Sequence, residues 1–197
     1  MEYFFYCRDR PATDRLLEEF AEAHWSFMDG FADAMIARGP TVDADGAHTG
    51  SMHIVNLPNA ETARVFAFEE PYFQAGVYAD VLMRRWRNAL GRTMWDFEGD
   101  PAGEGRFLII GHGRPGASAA RDELLQRHRA YLEEYREHFI AWGSLLSDDG
   151  SEWVGSAMLV ELGTRAAVDA VLANEPYTRA GLYANVEIHD WRFGGRP

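Results

Sequence analysis

One cysteine, Cys7, stands in the whole chain of 197 residues, so no disulfide can form within it. There is no CxxC pair and no Cys/His zinc spacing, which fits a reducing compartment and points to no metal site. No apolar stretch approaches the roughly 20 residues that a membrane helix needs. The start, Met1-Glu2-Tyr3-Phe4-Phe5-Tyr6-Cys7-Arg8, has an acid where a secretory signal wants positive charge, and its apolar run is short. Positive charge is also scarce: 19 Lys and Arg face 31 Asp and Glu, a net charge of −12. Nucleic acids and anionic membranes need a basic face to displace counterions, so neither is an expected partner. A small anionic ligand stays open, because a locally placed arginine can override the total. With 47% hydrophobic residues the chain has ordinary material for folded cores. The expectation is a soluble cytoplasmic protein whose partner is a small molecule.

What the chain does have is a repeat. Glu70-Pro71-Tyr72-Phe73-Gln74-Ala75-Gly76-Val77-Tyr78-Ala79-Asp80-Val81 matches Glu175-Pro176-Tyr177-Thr178-Arg179-Ala180-Gly181-Leu182-Tyr183-Ala184-Asn185-Val186 at an offset of 105. The same offset pairs Gly50-Ser51 with Gly155-Ser156 and Trp86 with Trp191. One loop residue upstream changes the offset to 104, pairing His24 with His128 and Gly39 with Gly143. So many ordered coincidences mean an internal duplication. The modules are expected at 1–97 and 106–197, joined by the Gly/Pro/acid linker 98–105.

Each half shows the same succession of elements. Tyr3 to Arg8 has the aromatic, apolar character of a strand. Helical spacing of Leu16, Leu17, Phe20, Ala23, Phe27, Phe31, Ala34 and Met35 predicts a helix from Ala12 to Arg38, stopped by Gly39-Pro40. A strand over Ser51 to Leu57 follows, then a helix over Ala60 to Phe68 capped by Asn59, and a strand over Asp80 to Trp86. The second half predicts strands at Arg106–Gly111, Ser156–Glu161 and Asn185–Trp191, with helices at Ser118–Trp142 and Thr164–Ala173. The visible order is β-α-β-α-β, with room for one further strand that would make it ferredoxin-like. Helices then cover one sheet face, and the bare faces of the two halves can cover each other.

These residues resemble the YciI (YCII-related) family. The pattern is a histidine inside the first helix, Gly-Pro at its end, Gly-Ser opening the next strand, and acid-Pro-Tyr followed by Ala-Gly-x-Tyr. The first half carries all four in His24, Gly39-Pro40, Gly50-Ser51 and Glu70-Pro71-Tyr72 with Ala75 to Tyr78; the second has Gly143-Ser144 in place of Gly-Pro. The resemblance implies an α+β fold of two ferredoxin-like modules packed as a dimeric α+β barrel, here a pseudo-dimer within one chain, with further self-association left open. It also implies a site built on the helix histidine and the acid before proline. That acid is usually aspartate in the family, whereas both halves here carry glutamate. One known branch eliminates chloride from a chlorinated aromatic diol or triol. The wider fold class includes isomerases, cofactor-independent monooxygenases and haem peroxidases, so fold alone selects no reaction.

His24 with Glu70, and His128 with Glu175, would be general acid/base pairs: a carboxylate fixes the imidazole tautomer and supports its protonated form. Ser51 and Ser156 could orient a substrate oxygen. Tyr72, Tyr78 and Trp86, with Tyr177, Tyr183 and Trp191, could wall an aromatic pocket. This set suits a lyase or isomerase acting on an aromatic or enolic small molecule without metal or organic cofactor. Each residue also has a plainer role. The histidines could be structural, the glutamates could cap the turn that follows, the serines could open strands, and the aromatics could be core. The chain could accordingly be a non-catalytic binding or accessory protein of the same fold. His48, His53, His112, His138 and His189 have no twin and are expected at the surface or in local packing. Cys7 is expected to pack, and Gly111 to Gly116 to form a turn. The first half, with Gly39-Pro40 and Trp25 where the second has Arg129, is expected to be the more active.

Overall fold

The computed structural model describes residues 1–99 and 104–195. Residues 100–103 of the expected linker lie outside that range. The chain divides into two compact units, Met1–Trp86 together with the segment from Arg192 onward, and Arg87–Trp191.

The first unit runs β1 (Glu2–Asp9), α1 (Asp14–Asp29), β2 (Met35–Val42), β3 (His48–Asn56), α2 (Ala60–Phe68), α3 (Pro71–Gln74) and β4 (Tyr78–Asn88). The second runs β5 (Arg106–Gly113), α4 (Ser118–Glu133), β6 (Phe139–Leu146), β7 (Trp153–Glu161), α5 (Arg165–Asn174), α6 (Pro176–Arg179) and β8 (Tyr183–Trp191). Within each unit the strands pair antiparallel, in the orders β4-β1-β3-β2 and β8-β5-β7-β6. Each unit is thus a complete β-α-β-β-α-β ferredoxin-like module.

The long helices predicted to reach Arg38 and Trp142 are corrected here. α1 ends at Asp29 and α4 at Glu133, and the residues beyond them turn into β2 and β6. The apolar spacing misleads because it continues through the junction. Phe27 on the last helical turn, Phe31 and Ala34 in the turn, and Met35 on the strand all pack into one core with Tyr3, Phe5, Met28, Val55 and Phe66. Gly39-Pro40, expected as a helix stop, lies inside β2 opposite Met52 and Ser51. Gly111 to Gly113, expected as a turn, completes β5.

Residues 3–7 of β1 are all buried, so both of its faces are covered. On one face Phe5 packs under the helices. On the other, Phe4 stacks on Trp86 with centroids 6.0 Å apart, and the Tyr6 hydroxyl meets Thr41 Oγ1 at 3.1 Å. Gly50 permits the close approach of β1 and β3: a Cβ there would sit 2.5 Å from the Cys7 carbonyl oxygen.

Candidate functional site

Proline builds the site. Pro71 holds Glu70 in extended backbone (φ −63°, ψ 133°), so the chain leaves α2 at Phe68 and restarts after Glu69 and Glu70 as the single turn α3. Glu70 becomes the cap of that turn: Oε1 accepts from the Tyr72 amide at 3.1 Å and Oε2 from the Phe73 amide at 2.9 Å. The same carboxylate meets Nδ1 of His24, which α1 turns inward together with Met28 one turn later. Capping and pairing with histidine, alternatives on sequence grounds, are therefore one arrangement. The second unit repeats it. Glu175 (φ −65°, ψ 129°) accepts from the Tyr177 and Thr178 amides at 2.9 and 2.8 Å, and His128 Nδ1 lies 2.6 Å from its Oε1. A carboxylate accepts only, so each histidine donates from Nδ1, which leaves Nε2 as the nitrogen able to take a proton.

Each imidazole stacks on the tyrosine of the same motif. Tyr72 stacks on His24 at 4.2 Å and Tyr177 on His128 at 3.8 Å. Burial, then the nearby Glu70 charge, pushes the Tyr72 hydroxyl up to about 12, and it donates to the Leu17 carbonyl at 3.1 Å. Tyr72 is thus a fixed neutral platform. Tyr78 is buried behind it, edge-on at 6.2 Å, and Trp86 belongs to the opposite face of the sheet with Phe4. Tyr183 likewise packs with Trp153 and Tyr177. Burial, followed by the charges of Glu70, Asp9 and Asp80, drives the Cys7 thiol well up, so it offers no thiolate.

A cleft of about 250 Å³ opens beside His24. Its lining includes Trp25, Arg38, His48, Ser51, His53 and Tyr72. Its outer wall is the segment after β8. Arg192 and Gly194 amides donate to the Pro40 and Arg38 carbonyls at 3.1 and 3.2 Å, and a Cβ on Gly194 would lie 2.6 Å from Gly39 Cα. Three of the lining groups, Arg38, His48 and His53, were not among the expected site residues. The one signal that singles out the two histidines is the absence of twins, which on sequence grounds points to the surface or to local packing rather than to a site.

His53 is buried, and burial, then the charges of His24, Arg38 and His48, holds it well below the ordinary 6.5. It is therefore neutral in the folded protein near pH 7. Its contribution to stability is full above its unfolded value and is lost as pH falls below about 6.5, because the unfolded chain takes up a proton that the folded one refuses. His53→Met, which copies the second unit, is expected to flatten the stability profile between about pH 7 and pH 5. Chemical denaturation of both proteins across that range checks this.

Strand register shows what the second unit has done with the same positions. Arg38 opposite His53 in β2 and β3 corresponds to Trp142 opposite Met158 in β6 and β7, and His48 opposite Val42 corresponds to Trp153 opposite Leu146. Trp142 and Met158 are core residues, and the Trp142 ring meets His128 edge-on at 5.8 Å. Arg121 reaches across to Ser144, the counterpart of Pro40, at 3.2 Å. Bulky apolar groups thus stand where the first unit has an open, basic cleft. Among the described residues no group of three or more His, Cys, Asp or Glu is arranged to hold a metal ion, and no helix is long and apolar enough to cross a membrane.

Over the whole chain the fold is α+β, of the dimeric α+β-barrel class. A mutant chlorite dismutase from Candidatus Nitrospira defluvii shares it with a TM-score of 0.65 over 98% of this chain and 91% of its own, at 9% identity. The chain belongs to the YCII-related domain family, whose sequence profile matches it twice, over residues 1–87 and 105–192. An uncharacterized protein of Haemophilus influenzae is 27% identical over 95 residues, 44% of this chain and 97% of that protein. The 5-chloro-2-hydroxyhydroquinone dehydrochlorinase of Burkholderia phenoliruptrix, solved in complex with 2,5-dihydroxybenzoquinone, is 24% identical over 45% of this chain and 96% of its own, with a TM-score of 0.43.

Proposed function

We propose that the first-unit cleft is the site of a small-molecule lyase or isomerase in which His24 is the acid/base group and Glu70 orients and supports it. The observation that carries this reading is that His24, fixed through Nδ1 by a buried carboxylate, borders a cleft large enough for a single ring. A cavity of about 150 Å³ already accepts benzene. His24 Nε2 takes a proton from a substrate hydroxyl or activated carbon. The Glu70 carboxylate stabilises the resulting imidazolium, and the proton returns to another carbon or to a departing group. Tyr72 keeps the imidazole plane fixed from behind. The second-unit pair, His128 and Glu175, holds its module together and does not turn over substrate.

The test is turnover of a panel of aromatic diols, triols and enolisable ketones. With any substrate found, His24→Gln is expected to lower kcat by about 10²–10⁴-fold, whereas His128→Gln keeps kcat. Equal activity in wild type and His24→Gln would sink the assignment. Saturable binding without turnover would move the protein to the binding or accessory reading.

A further inference from the structure

The same cleft contains a second histidine–carboxylate pair. Asp9 Oδ2 and His48 Nδ1 are 2.5 Å apart, and on the other side of the ring His48 Nε2 lies 3.4 Å from Ser51 Oγ. Asp9 accepts from Nδ1–H, so Nε2 is the acceptor and the Ser51 hydroxyl is the donor. Carboxylate, imidazole and hydroxyl are connected in the order that activates a serine, and such a set is recognised by geometry rather than by sequence position. The Asp9 side chain is 5% exposed and that of His48 is 25% exposed, so the orienting acid is buried while the base stays reachable. The second oxygen of Asp9 is buried with no hydrogen-bond partner, which leaves the carboxylate dedicated to His48.

Two bulges make this alignment. At the end of β1 the register slips between Arg8 and Asp9. In β3 it slips so that Thr41 faces Gly50 and Val42 faces His48, with Thr49 as the extra residue. Side chains three apart on a regular strand point to opposite faces; one extra residue brings His48 to the face of Ser51. The second unit has Ser156 but places Trp153 at the His48 position, and its Gly113 matches Asp9 at the offset of 104. The module folds without the histidine and the acid, so packing alone does not require them.

We infer that Ser51, His48 and Asp9 form a second catalytic site, with Ser51 Oγ a nucleophile toward small activated esters. Ser51 Oγ bonds to the acyl carbon as its proton passes to His48 Nε2. The carbonyl π electrons move to oxygen and return to expel the alkoxide or phenoxide, which takes the proton from His48; where it leaves as the anion, His48 gives that proton to solvent, so the imidazole is neutral again in either case. Water then attacks the acyl-serine with His48 as base, releasing the acid and restoring the hydroxyl. Arg38, on the same cleft, supplies positive charge near the developing oxyanion.

The test uses the full chain and p-nitrophenyl acetate, with stopped-flow detection of nitrophenolate and mass mapping of the acetylated protein. The chain contains no lysine, so amine background is confined to the N-terminus. The expected result is a burst with an acetyl group on the Ser51 peptide, absent in Ser51→Ala and His48→Gln and slowed about 10²–10⁴-fold in Asp9→Asn. Ser156→Ala should keep the burst. Mapping on the wild type does not depend on how any variant folds. An acetyl group only on the Met1 amine, or a burst unchanged in His48→Gln, overturns the proposal. Neither result bears on His24, whose role rests on proton transfer alone.

Discussion

Trp142→Ala is expected to destabilise the protein by about 3–5 kcal/mol, the usual cost of removing a large aromatic side chain from a core. That is a large part of the 5–15 kcal/mol typical of a folded domain, so the denaturant midpoint should fall markedly. The ring is 4% exposed and packs with Leu132, Phe139, Met158 and Val160 as well as His128. A loss below about 1 kcal/mol would mean that the second unit can relax around the gap, and that Trp142 is not what closes the space beside His128. The counterpart position in the first unit is Arg38, on the rim of an open cleft, so the two halves assign one strand position to opposite tasks.

Glu175→Ala should cost a similar amount, about 3–5 kcal/mol, because it leaves buried His128 without its partner and two α6 amides without their acceptor. Glu175→Gln, which keeps an acceptor, should cost about 1–3 kcal/mol. Burial alone would raise the Glu175 carboxyl, but the His128 hydrogen bond, the Tyr177 and Thr178 amides and the His128 charge together hold it below its ordinary 4.5. A depressed carboxyl contributes its stability above the unfolded value and loses it as pH falls through the folded one. The wild type should therefore lose stability on acidification below about pH 4.5, and Glu175→Gln should lack that part of the slope. An acid limb identical in the two proteins would contradict the assignment.

The paired dyads were legible in the sequence because duplication writes them twice. Glu-Pro-Tyr survives in both halves since one carboxylate must both cap α3 or α6 and hold an imidazole, and the proline must stop the preceding helix for it to do so. β2 and β6 were not legible. A core that is continuous across a helix, a turn and a strand gives helical spacing throughout. The cleft residues were missed for a different reason. Looking for twins rewards what both halves share, whereas Arg38, His48 and His53 matter because the second half has Trp142, Trp153 and Met158 instead. Asp9 and His48 also depend on two bulges, and a bulge shifts every inward-facing position by one residue without a mark in composition.

The most direct test of the claim that the first unit alone carries the working site is a fragment soak. Crystals would be exposed to single-ring diols and enolisable ketones, and the location of bound molecules determined. Density is expected beside His24, bordered by Arg38, His48 and Tyr72, and none against His128. Fragments bound against His128, with Trp142 displaced to admit them, would contradict it.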